Sequence, residues 1–263
     1  KGLRGVLELS VDDSVLALQA ASQGGEFSTP GHVTRIESPI IPGHLYVGVS
    51  SRALADHCLD KRQAWGVVGW PDDELLSANR FKPIAMDQRV MVQIMQAVDA
   101  EVPIQQLGAL LVQDPVMVYR LLRMVNSAAF GLAHEVESIR HALMMLGYDK
   151  LKAWLQTAYT SASSDKSLHP LRHALHMRAR LMRGLLDPNS DEELKGEIHL
   201  TGTFAHLDQL MKEPLAELLH QLPIPGRIFS TLVRHDGPYV AYLDVANAVS
   251  SPHRVDQVPA VCE

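Results

Sequence analysis

From Pro83 onward, apolar side chains return every three or four positions in one segment after another. That spacing lines them up on one face of an α-helix. It predicts helices near 86–98, 104–113, 115–128, 138–147, 148–163, 171–187, 192–212, 214–221 and 236–249, with short breaks between them. The stretch LGALLVQDPVMVYRLLRMVNSAAFG at 107–131 has the sharpest boundaries. Asp114 can accept a bond from a first-turn amide, and Pro115 lacks an amide that would have had no partner. Val118, Leu121, Leu122, Val125 and Ala128 then make one apolar stripe, while Tyr119, Arg123 and Asn126 share another face. Asn126 and Ser127 bond readily to nearby backbone and mark the helix end before Gly131. Further on, Ser138 reads as an N-cap, Gly147 as a stop and Pro170 as a helix start.

Before residue 80 the pattern is mixed. RGVLEL at 4–9 suits a strand, and 11–22 suits a helix with acidic residues in its first turn. Gly24, Gly25, Pro30 and Gly31 mark a loop, and a second strand is predicted around Leu45–Val49. ALADHCLDKRQ reads as a short helix, and AWGVVGW as a buried strand ending at Pro71. Strand, helix and strand in that order predict a small α/β module. Near the other end, Pro223, Pro225 and Gly226 break the chain, and the last residues lack periodicity and read as a surface tail. The expected organisation is therefore a module over 1–81, a mainly α domain over 82–250 and a tail over 251–263.

Composition narrows the function classes. A net charge of −6 and a pI near 6.1 offer no basic field for nucleic acid to follow. The two cysteines, Cys58 and Cys262, are too few for a disulfide framework or a zinc site, so a reducing cytoplasm is the expected location. No apolar run reaches the length of a membrane span. The chain opens on Lys1 without a secretory h-region and reads as a trimmed piece of a longer protein. Association into a homo-oligomer is compatible with all of this.

Few residues suggest chemistry. His169, His173 and His176 can share one side of a helix, opposite Leu171, Ala174, Leu175, Met182 and Leu185. They are expected on the solvent side with Arg172, Arg180 and Arg183, a poor place for a cation, with a modest anion-binding or acidic-partner patch as the alternative. His235-Asp236 is an adjacent pair, but Asp236 reads as the N-cap of the helix carrying Tyr239, Leu243, Ala246 and Val249. His57 and Cys58 diverge on a helix, which predicts a surface thiol. No Gly-x-Ser-x-Gly elbow, P-loop or dinucleotide fingerprint occurs. Leu143, Met144, Met145 and Leu146 read as core.

DPVMVYRLLRMVNSAAFG at 114–131, followed by SIRHALMMLGYDKLKAW at 138–154, resembles the HDOD domain, a helical relative of the HD phosphohydrolases in bacterial signalling proteins. TGTFAHLDQLM at 201–211 and HDGPYVAYLDVANAV at 235–249 extend the resemblance over about 82–250. It implies an HD-like multi-helix fold and a regulatory or interaction domain with no chemistry of its own. The related Gly-x-x-His-Asp pattern would fall on Gly202 to His206, where Ala205 takes the histidine's place and the pair is lost. His206 and Asp208 cannot replace it, since residues two apart on a helix point in different directions. AWGVVGWPDDELL at 64–76 resembles the last strand of EAL domains where they precede HDOD. There is no EAL-type signature and no acidic array for two metal ions, and residues 1–81 are too few for the complete barrel. That module reads as a remnant or a docking module.

The function expected from all this is a non-catalytic bacterial regulatory protein. It would act through protein–protein contacts with an unidentified signalling partner, and would be no enzyme, with no cofactor or metal. Tyr119, Arg123, Asn126 and Ser127 are the candidate interaction surface, positioned or gated by the N-terminal module. The alternatives are a divergent HD-type metal-dependent phosphohydrolase or cyclic-dinucleotide phosphodiesterase, and a nucleotide-sensing module without turnover.

Overall fold

The computed structural model describes residues 2–22, 36–68, 72–131 and 134–250. The chain divides into two compact units, Lys1–Ala78 and Asn79–Glu263. The boundary expected after residue 81 thus lies just inside the second unit. The predicted loop glycines at 24, 25 and 31, the strand end at Pro71 and the tail over 251–263 fall outside the described residues.

The first unit alternates strands and helices: β1 (Val6–Glu8), α1 (Val11–Ser22), β2 (Leu45–Val47), α2 (Arg52–Asp56), β3 (Gly66–Val68) and α3 (Asp72–Ala78). All three strands are parallel in the order β1-β2-β3, with Val6 opposite Leu45 and Leu45 opposite Gly66. Parallel neighbours need a crossover, and the helices between strands supply it. Ile40, Tyr46, Val49, Leu54 and Ala55 form the centre of its core with Ala17 of α1. Ser51 starts α2 by accepting from the Leu54 amide at 3.2 Å.

Cys58 departs from expectation: its thiol is buried within this core. α2 runs on into a π-helical turn at His57–Lys61, which widens the helix and places both His57 and Cys58 inward. His57 Nε2 pairs with Ser38 Oγ at 2.8 Å, and burial raises the thiol pKa.

The named elements of the second unit are all helices, and with the first it brings the described total to thirteen α-helices. They are α4 (Gln88–Asp99), α5 (Ile104–Leu111), α6 (Pro115–Val125), α7 (Ile139–Tyr159), α8 (His169–Gly184), α9 (Glu192–Phe204), α10 (Leu207–Met211), α11 (Leu215–His220), α12 (Gly226–Phe229) and α13 (Val240–Ser250). Asp114 caps α6 as the sequence predicts, accepting from Val116 at 3.0 Å and Met117 at 3.3 Å. Gly147 interrupts α7 with φ 70°, a left-handed geometry that suits glycine. The predicted helix over 192–212 breaks at His206 into α9 and α10.

Asp236 is not an N-cap. A π-helical turn at Ser230–Arg234 follows α12 and ends on His235 at φ 52°, the Asp236 amide bonds back to Ser230, and α13 begins only at Val240. No described helix is long and apolar enough to cross a membrane.

α8 and α9 pack closely against each other at Gly202. A Cβ built on Gly202 would stand 2.6 Å from Ala179 Cα and 2.9 Å from Met182 Sδ, so only glycine lets the backbones approach this closely. Gly202→Ala should therefore destabilise this unit by about 2 kcal/mol, despite alanine's better helix propensity. Ala179→Gly in the same chain should restore part of the loss. A thermal melt of the single and double variants reads this, and an unchanged midpoint for Gly202→Ala would show that the helices can separate at little cost.

Candidate functional site

Three groups of polar side chains stand out in the second unit. The first is a buried ionic hub where the starts of α4, α6 and α8 meet. Asp87 caps α4 by accepting from the Arg89 amide at 2.8 Å. The Asp87 amide donates to Asp114 Oδ2 at 2.6 Å, so the α6 cap also holds the start of α4. Arg172 of α8 reaches into this pair, with Nη1 3.3 Å from Asp87 Oδ2 and Nε 3.9 Å from Asp114 Oδ2, while Nη2 donates to the Ala85 carbonyl. His169 Nε2 lies 3.5 Å from Asp87 Oδ2 at the rim. Burial pushes the Asp114 carboxyl above its usual range, and the Arg172 charge opposes that rise.

The expected solvent-facing trio at 169, 173 and 176 is therefore corrected. Arg172 is a core residue at 3 % exposure, and His176 is half-buried with Nδ1 3.1 Å from the Val112 carbonyl. Only His173 is fully on the surface. A helical wheel assigns arginine outward, but a guanidinium can be buried where carboxylates and a carbonyl converge on it.

The second group lies along α9, where the lost His-Asp pattern falls. His199 is buried against His176, ring centroids 6.2 Å apart and nearly perpendicular. Burial first, then the His176, Arg183 and Arg180 charges, lower the His199 pKa to about 4. Two residues earlier, Glu197 receives a forked bond from Arg227 and accepts from the Tyr239 hydroxyl at 2.7 Å. His206 sits past the end of α9, its pKa lowered by burial and by Arg178. His235 pairs instead with Asp244 at 3.4 Å on the surface.

This donor set does not suit a metal ion. Glu197 is already neutralised by arginine, His199 and His206 face cationic neighbours, and no group of three or more His, Cys, Asp or Glu converges among the described residues. No hydrolytic step can be derived through these positions.

The third group is the signature itself. The Tyr119 ring is buried in α6 and its hydroxyl donates to Gln221 Oε1 at 3.0 Å. Arg123 is exposed one turn away, beside Tyr119. Asn126 braces the helix end: its Nδ2 donates to the Leu122 carbonyl at 2.8 Å and the Val136 carbonyl at 3.0 Å, and its Oδ1 accepts from Val136 at 2.8 Å. Ser127 Oγ donates to the Met124 carbonyl at 2.7 Å. The structure thus brings Tyr119 and Arg123 together and turns the side chains of Asn126 and Ser127 onto backbone. Nearby, Met144 and Met145 are exposed rather than core. The ionic hub went unseen in the sequence because its members are far apart along the chain; the Asp-Pro cap was its only signal.

Residues 84–180 match the HDOD domain family. Over 145 residues the chain is 29% identical to the cyclic di-GMP phosphodiesterase CdgJ of Vibrio cholerae, covering 55% of this chain and 34% of that protein. It is 26% identical over 142 residues to the uncharacterized protein YuxH of Bacillus subtilis, covering 53% and 34%. The chain thus spans about a third of the length of the curated relatives it matches. Its fold is similar to the MmoQ response regulator from Methylococcus capsulatus, with a TM-score of 0.55 and 14% identity over 69% of this chain and 94% of that one.

The likeness to CdgJ overturns the expectation of a non-catalytic protein that is no enzyme. The missing His-Asp pair speaks only for the helical unit, and a relative with two thirds of its length beyond the match carries the name of a hydrolase.

Proposed function

With an HDOD domain in its second unit as the premise, we propose that this chain belongs to a cyclic di-GMP phosphodiesterase. The observation that carries the reading is the 29% identity to CdgJ over 145 residues. In this reading the first unit is the end of an EAL barrel, which its three parallel strands in sequential order and the resemblance of 64–76 to the last EAL strand both support. In this reading the substrate's phosphodiester is cut by the complete barrel, since neither the described part of the first unit nor that of the helical unit gathers groups to hold a metal ion. The HDOD unit then serves as the enzyme's control domain, with Arg123 and the neighbouring α6 surface as its contact region.

The native full-length protein should convert cyclic di-GMP to its linear dinucleotide with magnesium or manganese, followed by product chromatography. His235→Asn, at an exposed position outside any donor set, should leave kcat unchanged. Absence of turnover with either cation would overturn the reading, and loss of kcat in His235→Asn would move the chemistry into the helical unit.

A further inference from the structure

We propose that the cleft between the end of α11 and the π-helical turn at Ser230–Arg234 is a binding site for a small apolar carboxylic acid. Binding there needs no turnover and so stands apart from the functional reading.

The cleft holds about 400 Å³, within the roughly 300–1,000 Å³ of small-molecule sites. Its apolar part comes from Leu219 and Leu222, which are buried, and from Ile224 and Phe229, which are half-buried. The His220 ring tilts against Phe229, centroids 4.7 Å apart, and adds a second ring to the wall. Ser230 and Arg234 supply the polar end, as the first and last residues of the π-helical turn. Such turns are frequent at functional sites. This one ends on His235 at φ 52°, a left-handed conformation that non-glycine residues rarely adopt. Two bonds fasten it: the Asp236 amide donates to the Ser230 carbonyl at 3.1 Å, and Thr231 Oγ1 to the Arg227 carbonyl at 2.8 Å.

Charge decides the ligand class. Arg227 of α12 is already paired with Glu197, and His235 with Asp244 at 3.4 Å. Arg234 is exposed between them, and no carboxylate among the described residues pairs with it. It is the only arginine, lysine or carboxylate lining the cleft. A planar guanidinium grips a carboxylate through two parallel bonds. One such group balances one negative charge, whereas a phosphate monoester carries about −1.5 to −2 at neutral pH. The leucines, Ile224 and the ring pair then cover the hydrocarbon body of the acid.

Isothermal titration calorimetry of the native full-length protein with naphthaleneacetic acid tests this. The expected Kd is below about 1 mM. Two changes should each weaken binding at least about tenfold: replacing the acid by the uncharged naphthaleneethanol, and Arg234→Gln in the protein. Ile224→Trp, which fills the cleft from its wall, should abolish binding. Arg234 is exposed, so Arg234→Gln should keep the wild-type melting midpoint and stay readable even if Ile224→Trp does not fold. A Kd above about 1 mM for the acid would overturn the proposal. So would an affinity unchanged by Arg234→Gln or by a folded Ile224→Trp, since the acid would then sit elsewhere. Tighter binding of naphthyl phosphate than of the acid would overturn the assignment to a single negative charge.

Discussion

Arg172→Met should lower the stability of the second unit by about 3–5 kcal/mol at neutral pH, read from urea unfolding. Methionine fills much of the same volume, so the loss measures charge rather than a cavity. The guanidinium faces Asp87 and Asp114, both at the floor of the hub, and nothing else cationic lies as deep. Removing it leaves Asp114 without its countercharge and Asp87 with only the more exposed Arg89 and His169 at its rim, and leaves the Ala85 carbonyl without its side-chain donor. The variant should also change the pH response. Burial already raises the Asp114 carboxyl, and Arg172 is the first charge opposing that rise. Without it the Asp114 carboxyl binds a proton more readily in the folded state, so the deficit against wild type should narrow as pH falls. A loss under about 1 kcal/mol, or a deficit that ignores pH, would mean the hub is wet enough to need no cation.

Acid should unfold this unit earlier than its carboxylates alone would dictate. The imidazole of His199 titrates at about 4 in the folded chain, against 6.5 ordinarily. The folded state therefore holds fewer protons than the unfolded state between those values. Its stability is complete above about pH 6.5 and is lost as pH falls toward 4, by about 3 kcal/mol at 1.36 kcal/mol per unit. His176 and His206 shift the same way through burial and add to the slope. The physical event is a charge forced between α8 and α9, where Arg180 and Arg183 already stand. His199→Leu should flatten the stability profile between pH 6.5 and 4, as chemical denaturation at several pH values would record. A slope equal to wild type would place the proton uptake elsewhere.

Much of the helical unit was legible because its boundaries are local. The Asp114-Pro115 start, the Ser138 cap and the Gly147 stop each depend on residues within a turn of one another, and the structure has all three. Long-range placements were not legible. Arg172 reads as a surface residue until Asp87 and Asp114 are folded against it. Cys58 reads as exposed until a π-helical turn rotates it inward. Asp236 fails as a cap for a similar reason, since the turn before it ends on a left-handed His235 that no local pattern announces. The domain could be read from its signature, but catalysis could not: the sequence shows which ligands the helices lack, and a relative's activity can lie beyond the matched third.

The segment that leads into α4 is stitched at several points. Ile84 N donates to the Leu210 carbonyl, Ser163 N to the Met86 carbonyl and Gln88 N to the Ser163 carbonyl, while the Asp87 amide is held by Asp114. Tension applied through the preceding residues would load these four bonds together before reaching the helix behind them. The second unit is thus anchored at its point of attachment, and a pull transmitted along the chain would stop at that anchor without unravelling α4.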